Sequence, residues 1–417
     1  RRGLAGRLGA DTRLRLRQLK RRDAANSQAI ARGYIGAQVS VCLPGVGMPV
    51  DKSTIATCCS AMNHPRRTSL FATTPRLLLS LLGLGAGLLG TATPALAQGK
   101  LNMLCSANQE WCQVIAADFG RKTGTEIAFT RKGTGEAYAQ IKAESANPKV
   151  DIWWGGTGDP HLQAAQEKLT QKYASPALTS LQPWAQEQYK RADGRTVGIY
   201  LGVIGLVYNS EVLAKKGMKP PACWADLLKP EYKGEIQMAN PNSSGTAYTM
   251  LATIVQLMGE EAGFDYLKKL HPSINQYTKQ GPAPGMAAAR GETGIAITFL
   301  HDGVTNAVRG FPVVGVAPCE GTGYEIGSMS IVDGARNLPA AKKFYDFALS
   351  VEGQATSLKG ESYQLPSNKN GAVHPRTPDL KKIKLINYDF AKYGSAEERK
   401  RLLARWDTEV SRGAVTK

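Results

Sequence analysis

Residues 101–159 read LNMLCSANQEWCQVIAADFGRKTGTEIAFTRKGTGEAYAQIKAESANPKVDIWWGGTGD. Residues 101–105, 126–130 and 150–154 are short apolar runs of strand type. Between them, 108–123 places Trp111, Ile115 and Phe119 at the four-residue spacing of one helix face, and 135–146 reads as a second helix. Strand, helix, strand, helix, strand in so short a stretch predicts βαβ units, because a parallel neighbour needs a crossover of helical length.

The same alternation resumes downstream. Residues 202–208, 235–239, 294–299, 313–318 and 326–331 read as strands, and 247–258, 263–270, 284–290, 337–350 and 396–409 as helices. No internal repeat or low-complexity tract interrupts it. The chain from position 98 onward is therefore expected to be an α/β protein of about 320 residues. That length predicts two lobes, since single cores stop growing near ~250–300 residues.

The whole chain of 417 residues carries a formal charge of +18, which by itself suggests a nucleic-acid partner. The charge is uneven, however. Residues 1–97 hold 14 Lys and Arg against three Asp, a net of +11, which leaves +7 for the rest. Within that region Arg66, Arg67 and Arg76 precede an apolar run from Leu77 to Leu89, and Ala95-Leu96-Ala97 forms an A-x-A site. This is the pattern of a secretory signal peptide over 62–97, cleaved after Ala97 to leave Gln98 first. The run is shorter than the ~20 residues of a spanning helix. Residues 1–61 are expected to be a spurious upstream extension or a disordered basic arm. Without 1–97, nucleic-acid binding loses its support.

Export permits disulfides. Cys105, Cys112, Cys223 and Cys319 follow the cleavage site, and the seven-residue spacing favours Cys105 with Cys112, leaving Cys223 with Cys319; three connectivities remain open. No C-x-x-C or neighbouring His supports a zinc site.

Four strand-to-helix junctions carry small hydroxyl residues and glycine: 106–108, 133–135, 155–159 and 242–246. Each offers backbone N–H groups at a helix N-terminus, a site for an anion, although such residues also serve as ordinary N-caps. None is a Walker A or a G-x-G-x-x-G loop.

These junctions resemble the extracellular solute-binding proteins of ABC importers. The likeness is carried by GTGEAYAQIKAE at 133–144 with VDIWWGG at 150–156, IYLGVIGLVYNSEV at 199–212, WADLLKPEYKGEIQMANPNSSGT at 224–246, and the stretches from Gly291 to Asn368. The resemblance implies a two-lobed periplasmic binding protein of type II, each lobe a central, mostly parallel sheet flanked by helices. The ligand would lie in the interlobe cleft, and the lobes would close by a hinge. Lobe one is expected to hold 98–199 plus about 302–330, and lobe two 200–301 plus about 331–417. Chain crossings are expected near 199–208 and 299–302, with a return near 324–331.

The resemblance also shapes the ligand. Ferric-binding members place neighbouring tyrosines where this chain has Leu300-His301-Asp302-Gly303. An anionic solute, a sugar phosphate or a phosphonate, is expected instead. Its phosphate would meet Ser243, Ser244, Gly245 and Thr246 with Ser106, Thr134 and Thr157, and Arg131 would supply charge. His301, Asp302 and Glu320 would grip hydroxyls or an ammonium group. The alternatives are a metal held by His301, Asp302 and Glu320 or Glu325, and His301 and Asp302 as mere strand-end and turn residues. A secreted phosphate-ester hydrolase is the lower alternative, with no nucleophile elbow or clustered His to support it. No cofactor is expected. The expected partners are the solute and an inner-membrane permease, with the chain a periplasmic monomer.

Overall fold

The computed structural model describes residues 100–411. The expectations for the signal peptide and for 1–61 lie outside the described residues. Among the described residues, no helix is long and apolar enough to cross a membrane.

Ten strands form one continuous sheet. They are β1 (Lys100–Cys105), β2 (Glu126–Arg131), β3 (Ile152–Trp154), β4 (Val197–Asn209), β5 (Ile236–Ala239), β6 (Ile274–Thr278), β7 (Ile295–Phe299), β8 (Val313–Val316), β9 (Tyr324–Ile331) and β10 (Leu365–Pro366). The order is β2-β1-β3-β9-β4-β7-β5-β6, with β8 and β10 also paired to β4. β1 runs parallel to β2 and β3, and β5 parallel to β6 and β7. β9 and β4 join these sets antiparallel, so each half of the sheet is parallel at its outer side and mixed where the halves meet.

β4 makes the sheet continuous. Its residues 197–203 pair with β9 of the first half, and 204–208 pair with β7 of the second. VGIYLGVIGLVYN is apolar on both faces, as a strand covered on both sides must be.

Each half has its own core. In the first, Phe119 packs edge-on against Phe344, centroids 5.3 Å apart, and leans on Phe347 at 5.6 Å. Truncating so enclosed a ring costs about 3–5 kcal/mol. In the second, Trp224, Tyr232, Tyr248, Phe264 and Trp406 are fully buried.

These cores redraw the expected boundaries. Helix Leu338–Leu349 buries its apolar face in the first core, and helix Val351–Lys359 packs on helix Gln109–Thr123, where Trp111 Nε1 donates to Thr356 Oγ1 at 2.9 Å, so this part of 331–417 belongs with the first half. Conversely, helix Leu300–Val308 lies on β4, β7 and β8, so 302–308 belongs with the second half. No crossing occurs at 299–302. The chain crosses later, through 317–323, and returns after β10 to place Tyr388, Phe390 and helix Ala396–Arg405 against the second core.

The cysteines pair as Cys105–Cys112 and Cys223–Cys319.

Candidate functional site

The residues that follow the strands converge on one cavity, enclosing about 440 Å³ with its mouth included. Ser106–Asn108 follow β1, Arg131–Thr134 close β2, and Gly156 and Thr157 follow β3. From the second half come Ser244–Thr246, Gln280–Pro282 and the end of β7. The carboxyl ends of parallel strands are where open α/β sheets bind ligands.

Four helices start at the cavity wall: Gln109–Thr123, Thr134–Ala143, Gly158–Gln166 and Gly245–Met258. Asn108 and Thr157 make no side-chain capping bond, whereas at Gly133 the backbone N donates to the Glu136 carboxylate at 3.1 Å. Ser244 does cap, its hydroxyl accepting from Ala247 N at 3.4 Å.

On the first wall, Thr157 N donates to Thr134 Oγ1 at 3.3 Å, while Thr157 Oγ1 is buried without a partner. Trp153 Nε1 donates to Ser106 Oγ at 3.1 Å, and Gly156 N donates to the Tyr200 hydroxyl at 2.7 Å. Arg131 Nε donates to Ala107 O at 2.8 Å, which holds the guanidinium against the loop after β1. Burial lowers the pKa of Arg131 from its usual value, and Asp302, Glu110 and Glu136 oppose that shift.

The opposite wall is acidic and hydrogen-bonding. Asp302, in the first turn of helix Leu300–Val308, accepts from Thr298 Oγ1 at 2.6 Å, and its other oxygen is buried without a partner. Gln364 accepts from Ser362 Oγ at 2.5 Å through its amide oxygen, so its amide nitrogen donates to His301 Nε2 at 3.2 Å. Burial lowers the pKa of His301, with Asp302 opposing, and so favours the neutral imidazole. Glu325 of β9 is buried at the cavity, and burial, with Asp302 next, pushes its carboxyl pKa well above the usual range.

Ser106, Arg131, Thr134, Thr157, Ser244, Gly245, Thr246, His301 and Asp302 all line this cavity. Two expected residues do not. Ser243 turns away, its hydroxyl donating to Lys279 O at 2.9 Å. Glu320 accepts from Trp224 N at 2.8 Å and Ala225 N at 2.9 Å, beside the Cys223–Cys319 disulfide. The metal set of His301, Asp302 and Glu320 is therefore not assembled. Among the described residues, the one trio of metal-type donors drawn together is Cys223, Cys319 and Glu320, whose sulfurs are bonded to each other.

Glu325, expected only as a metal ligand, also lines the cavity, as do Tyr200, Gln280 and Gln364, which were not among the expected site residues. A lone acid in the apolar run of β9 was the available signal for Glu325. Trp153 stacks on His161 at 3.6 Å inside the core and is fully buried.

The two walls touch. A Cβ on Gly135 would lie 2.7 Å from Asn242 O of the other half, so the backbones meet only because a glycine stands there.

A sequence model of bacterial extracellular solute-binding proteins matches residues 147–393. The periplasmic binding protein AfuA of Actinobacillus pleuropneumoniae, solved with exogenous fructose-6-phosphate bound, is 46% identical with a TM-score of 0.73. That match covers 76% of this chain and 100% of AfuA. An uncharacterized protein of Haemophilus influenzae is 45% identical over 333 residues, 79% of this chain and 95% of its own length. A periplasmic protein of Salmonella paratyphi A named for binding 2-aminoethylphosphonate is 28% identical over 279 residues, 64% of this chain and 77% of its own. AfuA and the Salmonella protein are both named as periplasmic and as binding proteins.

Proposed function

This chain belongs to the bacterial extracellular solute-binding proteins, and we propose that it captures a sugar phosphate in the periplasm and delivers it to an ABC permease. One observation carries the reading: uncapped helix N-termini and Arg131 form one wall of the cavity, and Asp302, Glu325 and neutral His301 form the other. The first wall suits a phosphate dianion. The second suits hydroxyl groups, because Asp302 accepts while a protonated Glu325 both donates and accepts. The two halves serve as lobes that close over the ligand, and the chain binds without turnover.

Protein recovered from the periplasm should begin at Gln98. Calorimetry with fructose 6-phosphate, fructose, inorganic phosphate and 2-aminoethylphosphonate tests the ligand. Stoichiometric binding of fructose 6-phosphate is expected, with fructose weaker by about 100-fold or more, the loss of one or two charged hydrogen bonds. Tightest binding of 2-aminoethylphosphonate would replace the sugar with an aminophosphonate. Release of phosphate during the titration would replace binding with hydrolysis.

A further inference from the structure

Glu320 sits on the segment that carries the chain from the second half back to the first, residues 317–323 between β8 and β9. The start of this segment is pinned to the turn at 222–225. The Cys223–Cys319 disulfide joins them, and Cys319 N donates to Ala222 O at 3.0 Å. The Glu320 carboxylate accepts from two successive backbone N–H groups, those of Trp224 and Ala225. Trp224, buried in the second core, donates its indole N–H to Gly321 O at 3.0 Å.

Just beyond the pin, Thr322 ties all three crossing segments together. Its hydroxyl donates to Ile204 O of β4 at 2.9 Å. Its backbone N donates to Lys384 O and its O accepts from Ile386 N, each at 2.9 Å. Gly321, between pin and tie, has φ +117°, a conformation open to glycine and costly for other residues. Glu325 follows three residues after Thr322 and reaches the cavity.

We infer that Glu320 and the Cys223–Cys319 disulfide are positioning residues for ligand capture: by fixing one crossing segment to the second half, they confine hinge rotation to residues 321–323 and set where Glu325 meets the ligand. Each unpinned residue adds two soft dihedrals to the hinge. Releasing 319 and 320 therefore widens the set of open conformers and lowers the share that closes correctly, which raises the apparent Kd. Cys319 is exposed, so thiol exchange can reach this pin in the folded protein.

The affinity part of this inference rests on the sugar-phosphate reading, whereas the hinge part rests on the contacts alone. The test compares wild type with Glu320→Gln and with the double variant Cys223→Ser, Cys319→Ser. Hydrogen exchange is read on ligand-free protein, and fructose 6-phosphate is titrated well below each unfolding midpoint. Amides of 319–323 should exchange about tenfold faster while β1–β3 keep their rates, since local opening reports local constraint. Kd should rise about tenfold, and much less when Glu325→Ala is already present, because coupled positions are non-additive. Unchanged exchange at 319–323 in both variants overturns the hinge role. Faster exchange with Kd within twofold of wild type overturns the link to capture. If wild type does not bind fructose 6-phosphate, the ligand reading fails and the exchange result alone decides the hinge.

Discussion

The hydroxyl oxygen of Thr157 lies so close to the Cα of Gly245 that a Cβ placed there would be 1.9 Å from it. Thr157 precedes a helix of the first half, and Gly245 begins a helix of the second. Closure thus brings two helix N-termini into contact, and the buried Thr157 hydroxyl has no protein partner there. Gly245→Ala should hold the halves apart and weaken fructose 6-phosphate binding by about 100-fold, since the ligand contacts depend on both walls. Thermal unfolding without ligand should move little. Calorimetry showing wild-type affinity would mean that this contact does not limit closure.

Glu325 and Asp302 should answer differently to neutral substitution. Burial, with Asp302 next, pushes Glu325 well above the usual carboxyl pKa, which favours its neutral form, and Gln reproduces that charge state. Glu325→Gln should keep affinity within about threefold, and Glu325→Ala should lose about tenfold. Asp302→Ala removes a carboxylate from the cavity wall, while the Thr298 hydroxyl keeps Gly281 O as an acceptor at 3.0 Å, and should weaken binding by about 100-fold. A loss in Glu325→Gln as large as in Glu325→Ala would show that the ligand needs the ionised carboxylate, as an ammonium group would.

Arg131 both carries charge and is oriented by its bond to Ala107 O. Arg131→Met should cost about 10- to 100-fold in sugar-phosphate affinity and flatten its dependence on salt. Arg131→Lys should recover little, because an ammonium lacks the planar fork that bonds Ala107 O while facing the cavity. Titrations across a range of NaCl concentrations measure both effects.

Asp159 predicts a pH dependence outside the ligand cavity. Its pKa rises from 3.8 to about 7 through burial, with Arg399 opposing, and Tyr388 OH donates to it at 3.3 Å. A folded-state pKa above the unfolded one means that the native state holds the extra proton. Stability is then fullest below about pH 4 and is lost as pH rises through about 7. Asp159→Asn removes this dependence, so the Tm difference, variant minus wild type, should grow from pH 5 to pH 8. A constant difference across that range would reject the raised pKa.

Much of the cavity was legible because its residues are local signals. A strand followed by Ser, Thr or Gly and then a helix places N–H groups at a sheet edge, whatever the rest of the chain does. Glu320 and Glu325 were not separable that way. They are five positions apart and chemically alike, and only the anchor on Trp224 and Ala225 withdraws one while β9 carries the other into the cavity. Tyr200 was hidden in an apolar strand. The register of β4 against β9 shifts between Gly198 and Tyr200, and an irregularity of this kind re-aims side chains where alternation alone would not.

By itself, then, the sequence determined the α/β class, the four helix starts and the His301-Asp302 pair after β7, since hydrophobic period and helix-start chemistry act over a few residues. Tertiary structure alone decided which helices cover which half and where the chain crosses. It also decided which of two similar carboxyls faces the cavity, because those outcomes depend on contacts between segments 95 or more residues apart.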